Sequence, residues 1–560
     1  MSPARFRPPV WFAMFVVAAG VSVARTASIL AVHTPVYDHA WFHDRGTAYW
    51  SGTLGDRFVD NPAAGAGLLV LPAVVAERLG VGLDLESQYR LIGAWKSLLF
   101  AAAATGIAAW IRMLAGGRAG WATLAILLID PNLAAHTAVM TVDTLVLPWA
   151  LLAAYATTRA MRTLSWRWWT VALLAAVLAM QSKLTALPVV GLIAVAVVVA
   201  TLARKRLALD WPERWQRRLV AMIVAAPAVA FLFVWATCRF DVSPVLFPAD
   251  TVPAGLKESA IGRTLYADGW PAGSFLRSLF NAVHRARVKG GAFLFGESHP
   301  GGVWYYFPVV AFYKVPWGLL ACAAVGVIVA AARRSWRSLG PRSLEVLVLA
   351  LWAGGFTLWM AMSPHQLGIR HYLVPLFFLL PMGALAFAGA AGSDKSATTR
   401  TLPVIGLACL AWAAVAVALR HPNALSFTNQ PFSARPWLAV NESNVDWNQG
   451  IREVARYLDA HPDLPQPIYL RPMLVEPQWP WWTGVRDRVI LLPTDTDPPP
   501  TRTGTLIVTT LVVSGGRGDG ATRYRPLAGA RYVDQIGDAL LVFDLATLAR
   551  EKPTLWDAVR

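Results

Sequence analysis

Residues 219–238 read LVAMIVAAPAVAFLFVWATC, twenty positions without a charge, bounded by Arg214, Arg217 and Arg218 before and Arg239 after. As a helix such a run reaches about 30 Å, the hydrocarbon thickness of a bilayer. Ten similar runs lie near 9–31, 90–111, 119–137, 140–159, 168–186, 187–203, 307–332, 344–362, 372–391 and 401–419. The fold class expected is therefore an all-α polytopic membrane bundle of about 11 transmembrane helices.

Composition agrees with this reading. The 560 residues are 56% hydrophobic and only 15% charged, the signature of a membrane protein. The net charge of +17 is spread in short clusters between apolar runs rather than along one stripe, so orientation signals, not nucleic-acid binding, account for it. Cys238, Cys322 and Cys409 lie far apart with no CxxC pair, which argues against a disulfide framework or a zinc site. The first run is too long for a signal peptide and lacks a small-residue cleavage site, so it is read as a retained helix.

Basic clusters fall between alternate runs: Arg112 and Arg118; Arg159, Arg162 and Arg167; Arg204 to Arg218; Arg333, Arg334, Arg337 and Arg342; Lys395 and Arg400. All share the side of the N-terminus, which the positive-inside rule makes cytoplasmic. The loops at 33–90 and 239–306, and everything after Arg420, are then extracytoplasmic. Residues 1–420 are expected to form the bundle and 421–560 a small extracytoplasmic α/β domain. The latter has an amphipathic stretch at 451–461 and β-type runs PIYLRPML, RVILL, TLIVTTLVV and ALLVFDL. The apolar but short stretch 62–80, interrupted by Pro72, is expected in the interface.

Charges at the ends of apolar runs are costly and mark candidate sites. Asp38, in TPVYDHAWFHDRG, is foremost, with Asp44, Asp56 and Asp60 in the same loop; Asp143 lies near Asp130 and His136. Helix capping is the alternative reading of these aspartates. Lys183, Lys314 and Arg370 with His371 are outer-face cations, for which a lipid phosphate is the natural anion and snorkelling the alternative. Trp304, Tyr305, Tyr306, Trp479, Trp481 and Trp482 form either an interfacial belt or a sugar-stacking platform. No HExxH, GxSxG, Walker or GxGxxG motif occurs.

Five ordered segments carry a resemblance: YDHAWFHDRGTAYWSG, DPNLAAHTAVMTVDT, GGAFLFGESHPGGVWYYFPVVAFYKVPW, GIRHYLVPLFFLLP and SNVDWNQGIREVARYL. From Tyr37 to His461 the chain resembles the lipid-carrier-dependent glycosyltransferases of family 39, the group with protein O-mannosyltransferases and lipid A aminoarabinose transferase. The resemblance implies a GT-C fold that moves a sugar from a polyprenyl phosphate carrier to a lipid, glycan or protein acceptor at the extracytoplasmic face, usually with inversion. Asp38 matches the family's catalytic aspartate, a general base. Asp143 matches the acidic residue of the second outer loop, expected to hold sugar or acceptor together with His39 and Asp44. Arg370, Lys314, Lys183 and His371 are the expected contacts of the carrier phosphate.

This chain departs from the family with His39 where Glu commonly follows the catalytic Asp, with DNPAAG at Asp60 to Gly65 in place of an HPPL-like segment, and with Asn448 in DWNQ where relatives carry Gly. Asp446 is given no catalytic role on that basis. The sequence names no cofactor and leaves metal dependence open: a divalent metal bridging Asp38 or Asp143 to phosphate is neither demanded nor forbidden by the spacing. The resemblance implies a bacterial-type inner membrane as the location. Competing readings are a flippase or transporter of lipid-linked substrates, which the one-sided polar residues and lack of repeated halves oppose, and an inactive relative serving as a membrane scaffold.

Overall fold

The structure, a computed structural model, describes residues 8–53, 61–245, 255, 258–288, 291–332, 342–388, 397–473, 475, 479–493, 498–515, 523–551 and 553–554. Asp56, Asp60, Arg333, Arg334, Arg337 and Lys395 lie outside the described residues.

Each of the eleven apolar runs is helical over most of its described length. Seven helices among the described residues are single, long and apolar enough to cross a membrane, or up to nine spans if each of two sharply bent pairs counts as one. The count falls below eleven because several runs are short or broken; Gly117–Ile129, for example, has only 13 residues.

The two bends have local causes. Pro131–Ala138 meets Asp143–Thr163 at 110°, and Tyr306–Lys314 meets Trp317–Ala331 at 116°. At the first, Val139 is extended (φ -69°, ψ 146°) and ends the helix that Asp130 caps and Pro131 opens, and the chain resumes at Asp143 in a 3-10 turn. At the second, Pro316 interrupts the helical hydrogen bonds just after Lys314. Both bends bring polar side chains into the bundle.

Two short helices, His39–Ser51 and Ala63–Arg78, pack on each other and on the start of Leu85–Ala115. Gly65 is needed where Ala63–Arg78 meets the end of helix Trp166–Ser182, since a Cβ there would lie 2.6 Å from the carbonyl oxygens of Gln181 and Ser182.

Beyond residue 420 a five-stranded sheet runs in the order Ile490–Leu491, Ile468–Arg471, Thr505–Thr509, Leu540–Asp544, Asp534–Ile536. The first two pairings are parallel and the last two antiparallel. Each β-type run of the sequence contributes a strand, although TLIVTTLVV turns helical at Thr510–Ser514. Side chains alternate: Leu470, Ile507 and Val542 point to one core, Tyr469, Leu506, Val508 and Leu541 to another. The first of these cores also contains Phe42, Leu69, Tyr89 and Leu145. The sheet is thus packed onto the helical part through a shared apolar core.

Candidate active site

Asp38 precedes helix His39–Ser51, the position of a capping residue, yet its side chain makes no cap hydrogen bond. Its Oδ2 instead accepts from Arg370 Nη1 at 2.8 Å, with the two side chains 27% and 11% exposed. Arg370 projects from the 3-10 turn Ile369–Tyr372, which starts after Gly368 at φ +100°. Its guanidinium lies 4.2 Å from the ring centroid of Trp447, a cation–π contact on a buried indole.

Asp143 opens a 3-10 turn at the first helix bend and pairs with Lys183, the extended residue between two helices. This pair is more enclosed than the first: the carboxylate is 2% and the lysine 10% exposed. The two pairs feel each other, since Arg370 lies within electrostatic reach of Asp143 and Asp38 within reach of Lys183. Four charges from four separate segments therefore form one cluster.

Further polar groups lie around it. Burial, then the cations Arg370 and Lys183, push the His365 imidazole down to about 4. Its ring lies 5.6 Å from that of His371, which is buried. His136, at the first bend, has a ring 6.1 Å from Trp447. Lys96, also buried, donates to the carbonyls of His136, at 2.8 Å, and Val139.

Three of the expected site residues are placed elsewhere. His39 is 1% exposed, its Nδ1 on the Val36 carbonyl and its ring met edge-on by Tyr89, Trp479 and Trp481. Burial pushes its pKa down to about 4. Asp44 keeps its carboxylate 62% exposed beside His43. Lys314 is wholly buried, and its ammonium donates to the carbonyls of Leu425, at 2.6 Å, and Asn444. A lysine at a broken helix end can thus satisfy loop carbonyls instead of an anion.

An apolar cleft lies alongside, bordered by Leu30, Thr34, Pro35, Tyr89, Met140 and Leu425. It touches the turns that carry Asp38 and Asp143, although the charged side chains do not line it. Among the described residues no three His, Cys, Asp or Glu side chains converge to hold a metal ion. Trp447, Asn444 and His365, which the sequence does not single out, border the cluster: Trp447 under Arg370, Asn444 on the Ile369 N–H, and His365 within electrostatic reach of Arg370 and Lys183.

No curated protein matches the chain. Similar solved structures include ArnT from Cupriavidus metallidurans bound to undecaprenyl phosphate, at 14% identity and TM-score 0.43 over 96% of this chain and 98% of that one, and the apo state of the same protein, at 13% and 0.42 over 96% and 99%. Residues 88–241, which carry Asp130, His136, Asp143 and Lys183, match the model of the dolichyl-phosphate-mannose-protein mannosyltransferase family, and this match supports the resemblance to the GT-C glycosyltransferases read from the sequence.

Proposed function

We propose that this integral membrane protein transfers a sugar from a polyprenyl phosphate carrier to an acceptor hydroxyl at the extracytoplasmic face, with inversion. The observation that carries the reading is the convergence of Asp38, Asp143, Lys183 and Arg370 in one cluster. The similarity of residues 88–241 to a family named for dolichyl phosphate mannose supports the class of donor.

In this reading Asp38 is the general base. Its Oδ2 is held by Arg370, and Oδ1 takes the acceptor proton as the acceptor oxygen bonds to the anomeric carbon. The bond from that carbon to the carrier phosphate breaks at the same time, and its electron pair stays on the phosphate oxygen. Arg370 and Lys183 supply fixed positive charge for the negative charge that develops there, and such preorganised charge stabilises most where water is excluded. Asp143 holds Lys183 in place and offers an acceptor to a sugar hydroxyl. His371 stands beside the phosphate position as a further donor. Lys314 and His39, both buried, belong in this reading to the framework of the site.

The test is a transfer assay in membranes supplied with radiolabelled polyprenyl phosphate sugars, comparing the intact protein with Asp38→Asn at equal abundance. Label moving to a lipid, glycan or protein fraction with the intact protein alone is the expected outcome. Equal transfer by both across several donor sugars would remove Asp38 from the role of base.

A further inference from the structure

One segment after the last long helix touches Arg370 and the turns that carry both members of the Asp38–Arg370 pair. On the Asp38 side, Tyr37 N–H donates to the Trp447 carbonyl at 2.9 Å, and Thr34 N–H to the Gln449 carbonyl at 2.9 Å. On the Arg370 side, Ile369 N–H donates to Asn444 Oδ1 at 2.8 Å, and Ser443 Oγ donates to the Leu367 carbonyl. The Trp447 ring meanwhile supports the guanidinium itself. Residues 443–449 therefore join two turns more than 300 positions apart, since Arg370 and Asp38 are separated by 332.

The segment is held from behind. Asn444 Nδ2 donates to the Asn441 carbonyl at 2.8 Å and to the Tyr306 hydroxyl at 3.3 Å, and the same hydroxyl accepts the Gly368 N–H at 2.9 Å. Lys314 donates to the Asn444 carbonyl. Asp446 accepts the N–H groups of Leu511 at 3.1 Å and Asn448 at 3.1 Å, and Asn441 Nδ2 donates to the Thr510 carbonyl at 3.0 Å and to Ser514 Oγ at 2.6 Å. These last contacts tie the segment to the edge where strand Thr505–Thr509 becomes helix Thr510–Ser514.

We infer that residues 443–449 are a positioning strap, in which Asn444 and Trp447 fix the separation and orientation of Asp38 and Arg370, and through which the C-terminal sheet becomes a working part of the transferase site. The inference rests on the proposed transfer reaction for its catalytic meaning. Neither residue reaches a reacting atom; each acts through the turn it holds. Polar satisfaction makes such a role effective, because Asn444 uses its carbonyl and amide in one buried network that has a single geometry. A displacement of about 1 Å at a reacting group costs on the order of 100-fold in rate.

The experiment uses the full-length protein in nanodiscs, with Trp447→Leu, Trp447→Phe and Asn444→Ala. Amide hydrogen exchange is measured in peptides covering 34–42 and 365–373, with the helix Trp215–Thr237 as an internal control. Expected are faster exchange in the 365–373 peptide for Asn444→Ala and in both peptides for Trp447→Leu, with the control unchanged. In the transfer assay, Trp447→Leu and Asn444→Ala should lower kcat about ten-fold or more while the donor KM stays within about three-fold of intact. Trp447→Phe, which keeps a flat aromatic face, should recover most of kcat.

Unchanged exchange in both peptides for both Leu and Ala variants overturns the strap, whatever the assay reads. Faster exchange with unaltered kcat overturns it as well. A raised KM with intact kcat would make these residues donor contacts instead. If the intact protein moves no label, the transfer reading fails by itself, and the exchange data alone decide whether the strap holds the pair. Should Trp447→Leu not accumulate, Asn444→Ala carries the same comparison.

Discussion

Breaking the Asp143–Lys183 pair should cost more than a surface salt bridge is worth, and the two ways of breaking it should differ. The carboxylate is 2% and the lysine 10% exposed, so removing either partner strands a charge that has already been taken from water. Such losses run to roughly 3–5 kcal/mol. Lys183→Met leaves Asp143 with Arg370 still in electrostatic reach, which places this variant near the low end, ~3 kcal/mol. Asp143→Asn leaves Lys183 facing the like charge of Arg370, which places it nearer ~5 kcal/mol. The double variant Asp143→Asn/Lys183→Met removes both charges and keeps most of the volume, so it should recover most of the loss and show non-additivity of at least ~2 kcal/mol. Thermal midpoints in nanodiscs, followed by size-exclusion recovery, should rank intact and double variant above Lys183→Met, and Lys183→Met above Asp143→Asn. The double variant should nevertheless transfer no sugar. A double variant that falls as far as the two single losses combined would refute the reasoning, because the residues would then not be energetically paired.

Three other changes test the surroundings. His39 has a folded-state pKa of about 4 against an ordinary 6.5, so its contribution is complete above pH 6.5 and is lost as pH falls toward 4; His39→Phe should flatten that acid limb of the stability profile by up to ~3 kcal/mol. Asp446 has the opposite sign for a carboxyl, since burial raises it to about 6: its contribution is present below about pH 4 and lost as pH rises through 6. Asp446→Asn loses one accepted N–H bond at every pH, but its thermal stability relative to intact protein should improve as pH rises from 4 to 7, and a parallel pair of curves would count against the burial argument. Gly368→Ala would place a Cβ 2.5 Å from Ser443 Oγ at φ +100°; a loss of about 1–3 kcal/mol is expected, with faster exchange in peptide 365–373, and a thermal midpoint equal to intact would contradict it.

The helices were legible because lipid-crossing runs need length and apolar composition, and both are local properties of sequence. Their breaks were partly legible, since Asp130, Pro131 and Pro316 are ordinary punctuation, but continuous hydropathy across 307–332 hides a 116° bend. Strand Asp534–Ile536 went unread because it has only three residues and two of them are polar. Asp38, Asp143, Lys183 and Arg370 each drew notice as costly charges. Their pairing did not, because partners 332 and 40 positions apart are joined only by the fold. Lys314 shows the limit of reading a boundary cation as an anion site, since loop carbonyls, those of Leu425 and Asn444, also satisfy an ammonium. Asn448, a departure from the glycine of relatives, has φ +70°; asparagine is among the few side chains that tolerate that region, so the strap keeps its shape.

The charge balance of the cluster constrains how a donor would enter. Each carboxylate of the cluster is matched by one cation, which lowers the cost of holding the four charges partly buried. A sugar phosphodiester brings one negative charge, and its departing phosphate carries more. Neutrality then requires Arg370 or Lys183 to share itself between a carboxylate and the phosphate. Arg370 is built for sharing: a planar fork with several donors, one on Asp38 at 2.8 Å, and a flat indole beneath it that holds its plane. Lysine is a point charge without that plane, so Arg370→Lys should bind donor with its charge intact but lose the alignment of Asp38 with the leaving group. A variant that lowers kcat about ten-fold or more at nearly unchanged donor KM would fit this division; one that raises KM alone would make charge, not geometry, the contribution of Arg370.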